Sequence, residues 1–249
     1  MKSIGEIRRE RKRVVPKGEK TRDQILGTAV HIASAEGLEG LTIGRLAEEL
    51  KLSKSGLFAH FGSKEELQIA VVGKAREIFV REVVEPAFVA ERGVGRLIAM
   101  LDEWIAYVGR SVFRGGCFFM ASAIEFDSRP GQVRNLIAEL SKSWLEAFQS
   151  EIQYAQATGQ LDPGADSAQL AFELHALAHE ANWAYQLFRD EKIFERARSA
   201  IGFRLQAVVT AAGLRKLRLK TSARAKPSLN KRARRPEKKS SPARTRRRE

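Results

Sequence analysis

Residues 41–67 read LTIGRLAEELKLSKSGLFAHFGSKEEL. Thr42 stands where a helix N-cap belongs, and a short helix carrying Leu46, Ala47 and Leu50 follows it. Lys51, Leu52 and Ser53 interrupt that helix. A further short helix runs from about Ser53 to His60, and Gly62 and Ser63 break the chain again. Ser63 with Glu66 three residues on is a capping box, so a long helix is expected from there to about Val84, with Pro86 just beyond it. Upstream, Ile25, Leu26, Ala29, Ile32 and Ala33 repeat at helical spacing over Thr21 to Ala35, and Gly37 supplies a stop. Three short helices in about 40 residues, with a tight break before the third, form a helix-turn-helix.

The pattern has a physical logic. Leu41, Ile43, Leu46, Leu50, Leu52 and Leu57 are expected to form a small core, with Ala47 small where two helices cross. The third helix then exposes Lys54, Ser55, Gly56 and Ala59. Short side chains with one long cation suit a helix entering a major groove about 12 Å wide. Gly56 weakens a helix. It either lets the backbone approach DNA or relieves crowding inside the module. Thr42 and the amides behind it can hold a phosphate, and Lys64 and the ring nitrogens of His60 can reach flanking phosphates.

The rest of the chain reads as helix, with no convincing strand. Helices are expected over 93–112, 132–158, 166–188 and 191–212, separated by Gly- and Pro-containing turns at 115–116, 127–131 and 162–164. The fold class is therefore all-α. A helix-turn-helix domain at 21–67 is followed by a helical domain at 68–213 for ligand binding and dimerisation. A basic arm at 1–20 precedes them, and a basic tail at 214–249, rich in Lys, Arg, Ser and Pro, is expected to be disordered.

The net charge of +14 is concentrated at the ends. Residues 214–249 hold 16 Lys or Arg against two Glu, and residues 1–20 hold eight against three, leaving residues 21–213 at −5. Basic arms on an acidic body are electrostatic footprints for nucleic acid, although such tails also serve solubility. One cysteine, Cys117, allows no internal disulfide and fits a reducing cytoplasm. No apolar stretch follows the basic N-terminus, and the run Cys117 to Ala121 is far short of the roughly 20 residues of a membrane span. A cytoplasmic protein without a membrane association is expected.

Residues 21–67 resemble the N-terminal domain of the TetR family of bacterial transcriptional regulators. The resemblance rests on Ala35-Glu36-Gly37, on Leu41-Thr42-Ile43 with Leu46-Ala47, on Leu52 to Phe61, and on Ser63-Lys64-Glu65-Glu66-Leu67. It implies that Thr42, Lys54, Ser55, Gly56, Phe58, His60 and Lys64 lie at the DNA interface. It also implies an N-terminal arm, here with Arg8, Arg9 and Arg11, that follows the adjacent minor groove. Two departures stand out. Phe58 occupies a position usually held by a tyrosine whose hydroxyl meets a phosphate. Lys51 stands where a small turn residue, often glycine, is usual.

The resemblance further implies a homodimer built on the last two long helices, a palindromic DNA operator, and a small effector. The expected function is a ligand-responsive repressor. A same-fold activator, or a largely nonspecific nucleic-acid-binding protein driven by the arms, are the alternatives. The stretch from Arg114 to Gly131 resembles a subgroup of the family. Its aromatic and small residues could line a cavity, and an apolar or aromatic effector is the first expectation. Candidate lining residues are Trp104, Tyr107, Cys117, Phe118, Phe119, Phe126, Trp144, Phe148 and Trp183, with Tyr185 as a further aromatic.

His175 and His179 share a helical face, but no HExxH pattern or cysteine cluster accompanies them. Packing or interface hydrogen bonds are expected of them, not a metal. Glu125 and Asp127 read as capping or salt-bridge groups. No catalytic triad or phosphate loop is visible, so neither an enzyme nor a cofactor is expected.

Overall fold

The computed structural model describes residues 17–215. Arg8, Arg9 and Arg11 and nearly all of the basic C-terminal stretch lie outside the described residues. The fold within them is all-α. Helix α1 (Lys17–Glu36) begins four residues before the expected start and buries Ile25, Leu26, Ala29, Val30, Ile32 and Ala33. Helix α2 (Ile43–Leu50) starts at Thr42, whose Oγ1 accepts the Arg45 N–H at 3.0 Å. Helix α3 (Lys54–Phe61) starts at Ser53, whose Oγ accepts the Gly56 N–H at 3.1 Å.

Between α2 and α3 the chain reverses through Lys51, which adopts a left-handed conformation with φ of 54°. That backbone explains why glycine suits the position. It also corrects the expected core. The turn carries Leu52 outward, leaving it 47% exposed, while its N–H donates to the Ala47 carbonyl at 3.0 Å. Leu41, Leu46 and Leu57 are buried as expected, and Leu38 and Phe61 complete the module's centre.

Helix α4 (Lys64–Phe79) runs through the expected boundary at residues 67 and 68, so one rigid element spans both domains. The Ser63 Oγ accepts the Glu66 N–H at 3.1 Å, which is the serine half of the predicted capping box. The helix does not stop before Pro86. It passes into a π turn, Val80–Val84, and then a short α5 (Glu85–Phe88) with Pro86 in its first turn. Pro86 has no N–H to give, and the wider π turn just before it accommodates the missing bond.

The second domain comprises α6 (Val94–Gly109), α7 (Phe118–Phe126), α8 (Gln132–Ala157), α9 (Ser167–Phe188) and α10 (Lys192–Gln206). Helix α6 is its centre, packed on α8, α9 and α10 and burying Leu97, Met100, Leu101, Trp104, Ile105, Tyr107 and Val108. It has no local cap. The Gly93 N–H donates to the buried Glu151 carboxylate at 2.8 Å, and the Val94 N–H to Gln160 Oε1 at 3.2 Å, both groups reaching across from α8 and the turn after it. The last helix is shorter than expected. It ends at Gln206, because Val209 pairs antiparallel with Leu161 and the Asp162 N–H donates to the Val208 carbonyl at 2.8 Å. A helical turn resumes at 211–215.

Helix α1 packs on α4 and on α7, which joins the two domains. The approach at this joint is close. A Cβ on Gly115 would lie 1.6 Å from the Ser34 carbonyl oxygen, so only glycine fits there. No helix among the described residues is long and apolar enough to cross a membrane.

Candidate nucleic-acid interface and effector cavity

Helix α3 has two unlike faces. Leu57 and Phe61 turn inward, while Lys54, Ser55, Gly56 and Phe58 are exposed, Phe58 at 56%. The exposed face borders an open groove lined by Ile43, Gly44, Lys54, Ser55, Phe58 and Lys64. The structure thus brings Lys54, Ser55, Phe58 and Lys64 together beside the start of α2. A Cβ on Gly56 would meet only Ser53 Oγ, at 3.1 Å, with open space beyond. Crowding inside the module is therefore not what calls for glycine there.

Thr42 sits at the same end of α2. Its oxygen accepts one bond, so its hydroxyl proton remains to donate. His60 is half-buried against Phe61 and does not line the groove. Lys64 is partly committed, with Nζ 2.6 Å from Glu39 Oε1. That bond, with help from Gln68 and Arg129 and against the cost of burial, holds the Glu39 carboxyl below its ordinary range. Arg45, also in α2, is held by Glu36 and Glu49, which raise its already high pKa.

A cavity of about 660 Å³ lies in the second domain among α4, the π turn, α6, α7, α8 and α9. Of the expected lining residues it brings together Trp104, Cys117, Phe119 and Trp144. Five others lie elsewhere. Tyr107, Phe118, Phe126 and Phe148 are buried in packing around it, because their helical phases point them between helices. Trp183 is 48% exposed on the outer face of α9, edge to face with Phe188. Tyr185 packs on Phe194 at 4.5 Å.

The walls also include Phe79 of α4 and Met120 of α7, and His175 and His179 of α9, so that His175 packs as expected, against Trp104 and Phe148, but at the cavity. The signal that could have found them was their own spacing, which put both rings on one face. The His175 ring lies tilted against Trp104 with centroids 5.0 Å apart, and the His179 ring lies 6.1 Å from that of His175. Neither imidazole makes a hydrogen bond to another described residue. Burial, reinforced by His179, lowers the His175 pKa to about 4, and burial lowers that of His179 also. Both rings are therefore neutral near pH 7, each with one donor and one acceptor. Burial pushes the Cys117 thiol up, so it is a thiol and not a nucleophilic thiolate. Among the described residues, no group of three His, Cys, Asp or Glu side chains could hold a metal ion.

Residues 25–71 match the bacterial regulatory proteins of the tetR family, and residues 93–201 match the tetracyclin repressor-like C-terminal domain. The chain belongs to the TetR family. This TetR-family protein is 33% identical over 92 residues to the HTH-type transcriptional regulator TcmR of Streptomyces glaucescens, a match covering 36% of this chain and 38% of TcmR. A TetR transcriptional regulator from Chloroflexus aurantiacus is similar in structure, with a TM-score of 0.73 and 26% identity over 78% of this chain and 99% of that one. AibR, solved with isovaleryl coenzyme A and operator DNA, shares the fold at a TM-score of 0.61 and 21% identity, covering 73% of this chain and 96% of AibR. Membership makes this chain a DNA-binding transcriptional regulator and not an enzyme.

Proposed function

We propose that this TetR-family protein is a repressor that binds a palindromic operator as a homodimer and releases it when a small effector fills the cavity. The observation that carries the reading is the exposed face of α3, where Lys54, Ser55, Gly56 and Phe58 stand clear of the core beside Thr42 and Lys64. In this reading Ser55 reaches a base edge, Gly56 admits the duplex backbone, and Thr42, Lys54, His60 and Lys64 meet phosphates. Arg8, Arg9 and Arg11 reach the minor groove, and the C-terminal arm adds sequence-independent affinity.

Dimerisation is supported by the outer face of α9 and α10, which leaves Phe172, Trp183, Leu187 and Phe203 exposed. A patch of large apolar side chains on two long helices suits a four-helix interface with a second copy. One recognition helix reads few base pairs, whereas two set about 34 Å apart read both halves of a palindrome.

The effector is a small apolar or aromatic molecule. Phe79, Trp104, Phe119 and Trp144 supply flat apolar walls, and the volume suits one small molecule. His175 and His179 offer their ring nitrogens to an oxygen or nitrogen on that molecule. AibR shows that the same fold can take a small molecule, isovaleryl coenzyme A, as well as operator DNA.

The test compares binding of the purified protein to its own upstream promoter DNA and to a scrambled duplex of equal length. Salt is varied, and a deletion of residues 223–249 is run alongside. Strong preference for the promoter, retained without the tail, supports the reading. Equal affinity for both duplexes, collapsing together with salt and with the tail, favours a nonspecific binder instead.

A further inference from the structure

Helix α7 touches three things at once. Its inner face lines the cavity through Phe119, Met120 and Ala123. Its N-terminus is tied to α9, where the buried Asn182 Oδ1 accepts the Cys117 N–H at 2.8 Å. Its C-terminal turn carries Glu125, which reaches the helix-turn-helix domain. The Leu38 N–H donates to Glu125 Oε2 at 2.7 Å and the Glu39 N–H to Oε1 at 2.9 Å. These two amides follow the end of α1, where the chain turns at Gly37 with φ of 90°. A Cβ on Gly37 would lie 2.8 Å from Glu125 Oε1, so the turn is shaped around the carboxylate.

The clamped residues hold others. The Leu38 carbonyl accepts Gln68 Nε2 at 3.0 Å. The Glu39 carboxylate binds Lys64, Gln68 and Arg129, the last from the turn after α7. Leu38 itself is buried in the core of the DNA-binding module. A single side chain on the cavity helix therefore fixes the entrance to α2, and through Glu39 it fixes the first turns of α4.

We propose that Glu125 is the positioning residue through which α7 sets the helix-turn-helix relative to the second domain, so that α7 is the strut linking cavity, dimer helix and DNA-reading helix. A carboxylate with both oxygens engaged by consecutive amides is direction-sensitive. A small tilt of α7 breaks one bond or drags the loop with it. An effector pressing on Phe119, Met120 or Ala123 acts on the same nine-residue helix that carries the clamp. The inference builds on the proposed DNA-reading but is tested separately from it.

The experiment uses the full chain and two variants. Glu125→Gln removes the charge and places an amide NH2 against one of the two N–H donors. Amide hydrogen exchange is followed at Leu38 and Glu39 and along α9, and binding is measured to a duplex selected from random DNA and to its scrambled form. Exchange at Leu38 and Glu39 should rise at least ten-fold with α9 unchanged, and preference for the selected duplex should fall at least five-fold. Unchanged exchange at both amides, or deprotected amides with preference within two-fold of wild type, would overturn the proposal. If Glu125→Gln loses protection throughout the chain, Ala123→Phe decides the matter. That substitution loads α7 from the cavity and should speed exchange at Leu38 and Glu39 at least three-fold, and unaltered exchange there would sink the strut. A wild-type protein with no duplex preference would count against the DNA-reading proposal, while the exchange measurements would still judge the clamp.

Discussion

Lys64 Nζ lies 2.6 Å from Glu39 Oε1, whereas no described carboxylate pairs with Lys54 across the same groove. The two lysines are thus unequal as phosphate ligands. Binding DNA with Lys64 means weakening an existing ion pair, and with Lys54 it does not. Lys54→Ala should lower DNA affinity about ten-fold and reduce the slope of log affinity against log salt by about 0.9. Lys64→Ala should change the slope by less than half of that. Fluorescence anisotropy over a salt series checks both, and equal slopes for the two variants would contradict the assignment.

Phe58 presents a ring to the groove without a hydroxyl. Because the ring is already exposed, Phe58→Tyr adds a donor without burying one. Affinity for the operator duplex should rise three- to ten-fold, near the roughly 1 kcal/mol net worth of one solvent-exposed hydrogen bond. The thermal midpoint should not move. A loss of affinity would mean that the ring packs against sugar and leaves no room for an oxygen.

His175 ties stability to pH. Its folded pKa is held at about 4, below the unfolded value near 6.5, so the unfolded chain takes up the proton first. Its contribution is complete above about pH 6.5 and is lost as pH falls from there toward 4. His179 beside it is shifted the same way, and Glu180 opposes the shift of His179. Allowing for solvent at the cavity, His175 should account for about 1 kcal/mol of the stability lost between pH 7.5 and 5.5. Urea unfolding at the two pH values should show a smaller drop in His175→Leu. An identical drop would place the titration elsewhere.

Phe203 is the most exposed large ring of α10, at 72%. Phe203→Glu puts a charge into the proposed dimer face without touching the core of the protomer. Sedimentation should show a monomer at concentrations where the wild type is a dimer, and operator affinity should fall at least 100-fold with it. A dimer that persists would locate the interface on another face.

Lys51 pays for its left-handed backbone with a Cβ. Lys51→Gly should raise stability by up to about 1 kcal/mol, the strain relieved less the entropy that glycine adds to the unfolded chain. Differential scanning calorimetry measures this, and a lower midpoint would mean that the lysine stem stabilises the turn.

The helix-turn-helix was legible in the sequence because its determinants are local. Ser53, Thr42 and Ser63 cap the helix each precedes, and the Leu41, Leu46 and Leu57 pattern closes a core within about 20 residues. Leu52 misled because periodicity carries no information on the left-handed turn at Lys51. The cavity was half legible. Aromatic content pointed to Trp104, Phe119 and Trp144, but whether a ring faces a void or a neighbouring helix depends on tertiary phase, which sent Tyr107, Phe118, Phe126 and Phe148 into packing. The spacing of His175 and His179 put both rings on one face but did not say which neighbour that face packs against. The clamp from Glu125 to Leu38 joins groups 87 residues apart, and no local pattern encodes such a bond. The same holds for Glu151 capping α6 from 58 residues away.

The π turn at Val80–Val84 gives α4 one residue more than a regular helix of the same span. Val80 and Val84 both face the cavity. Helical register downstream of the DNA-binding domain is thus out of step with register upstream by a single residue, about 100° of rotation and 1.5 Å of rise. Deleting one residue within this turn would restore a regular helix and rotate everything upstream of it, the cavity-lining Phe79 included, against the contacts that α1 makes with α7. Helical phase at this one short segment therefore couples the aim of the DNA-binding head to the shape of the cavity wall.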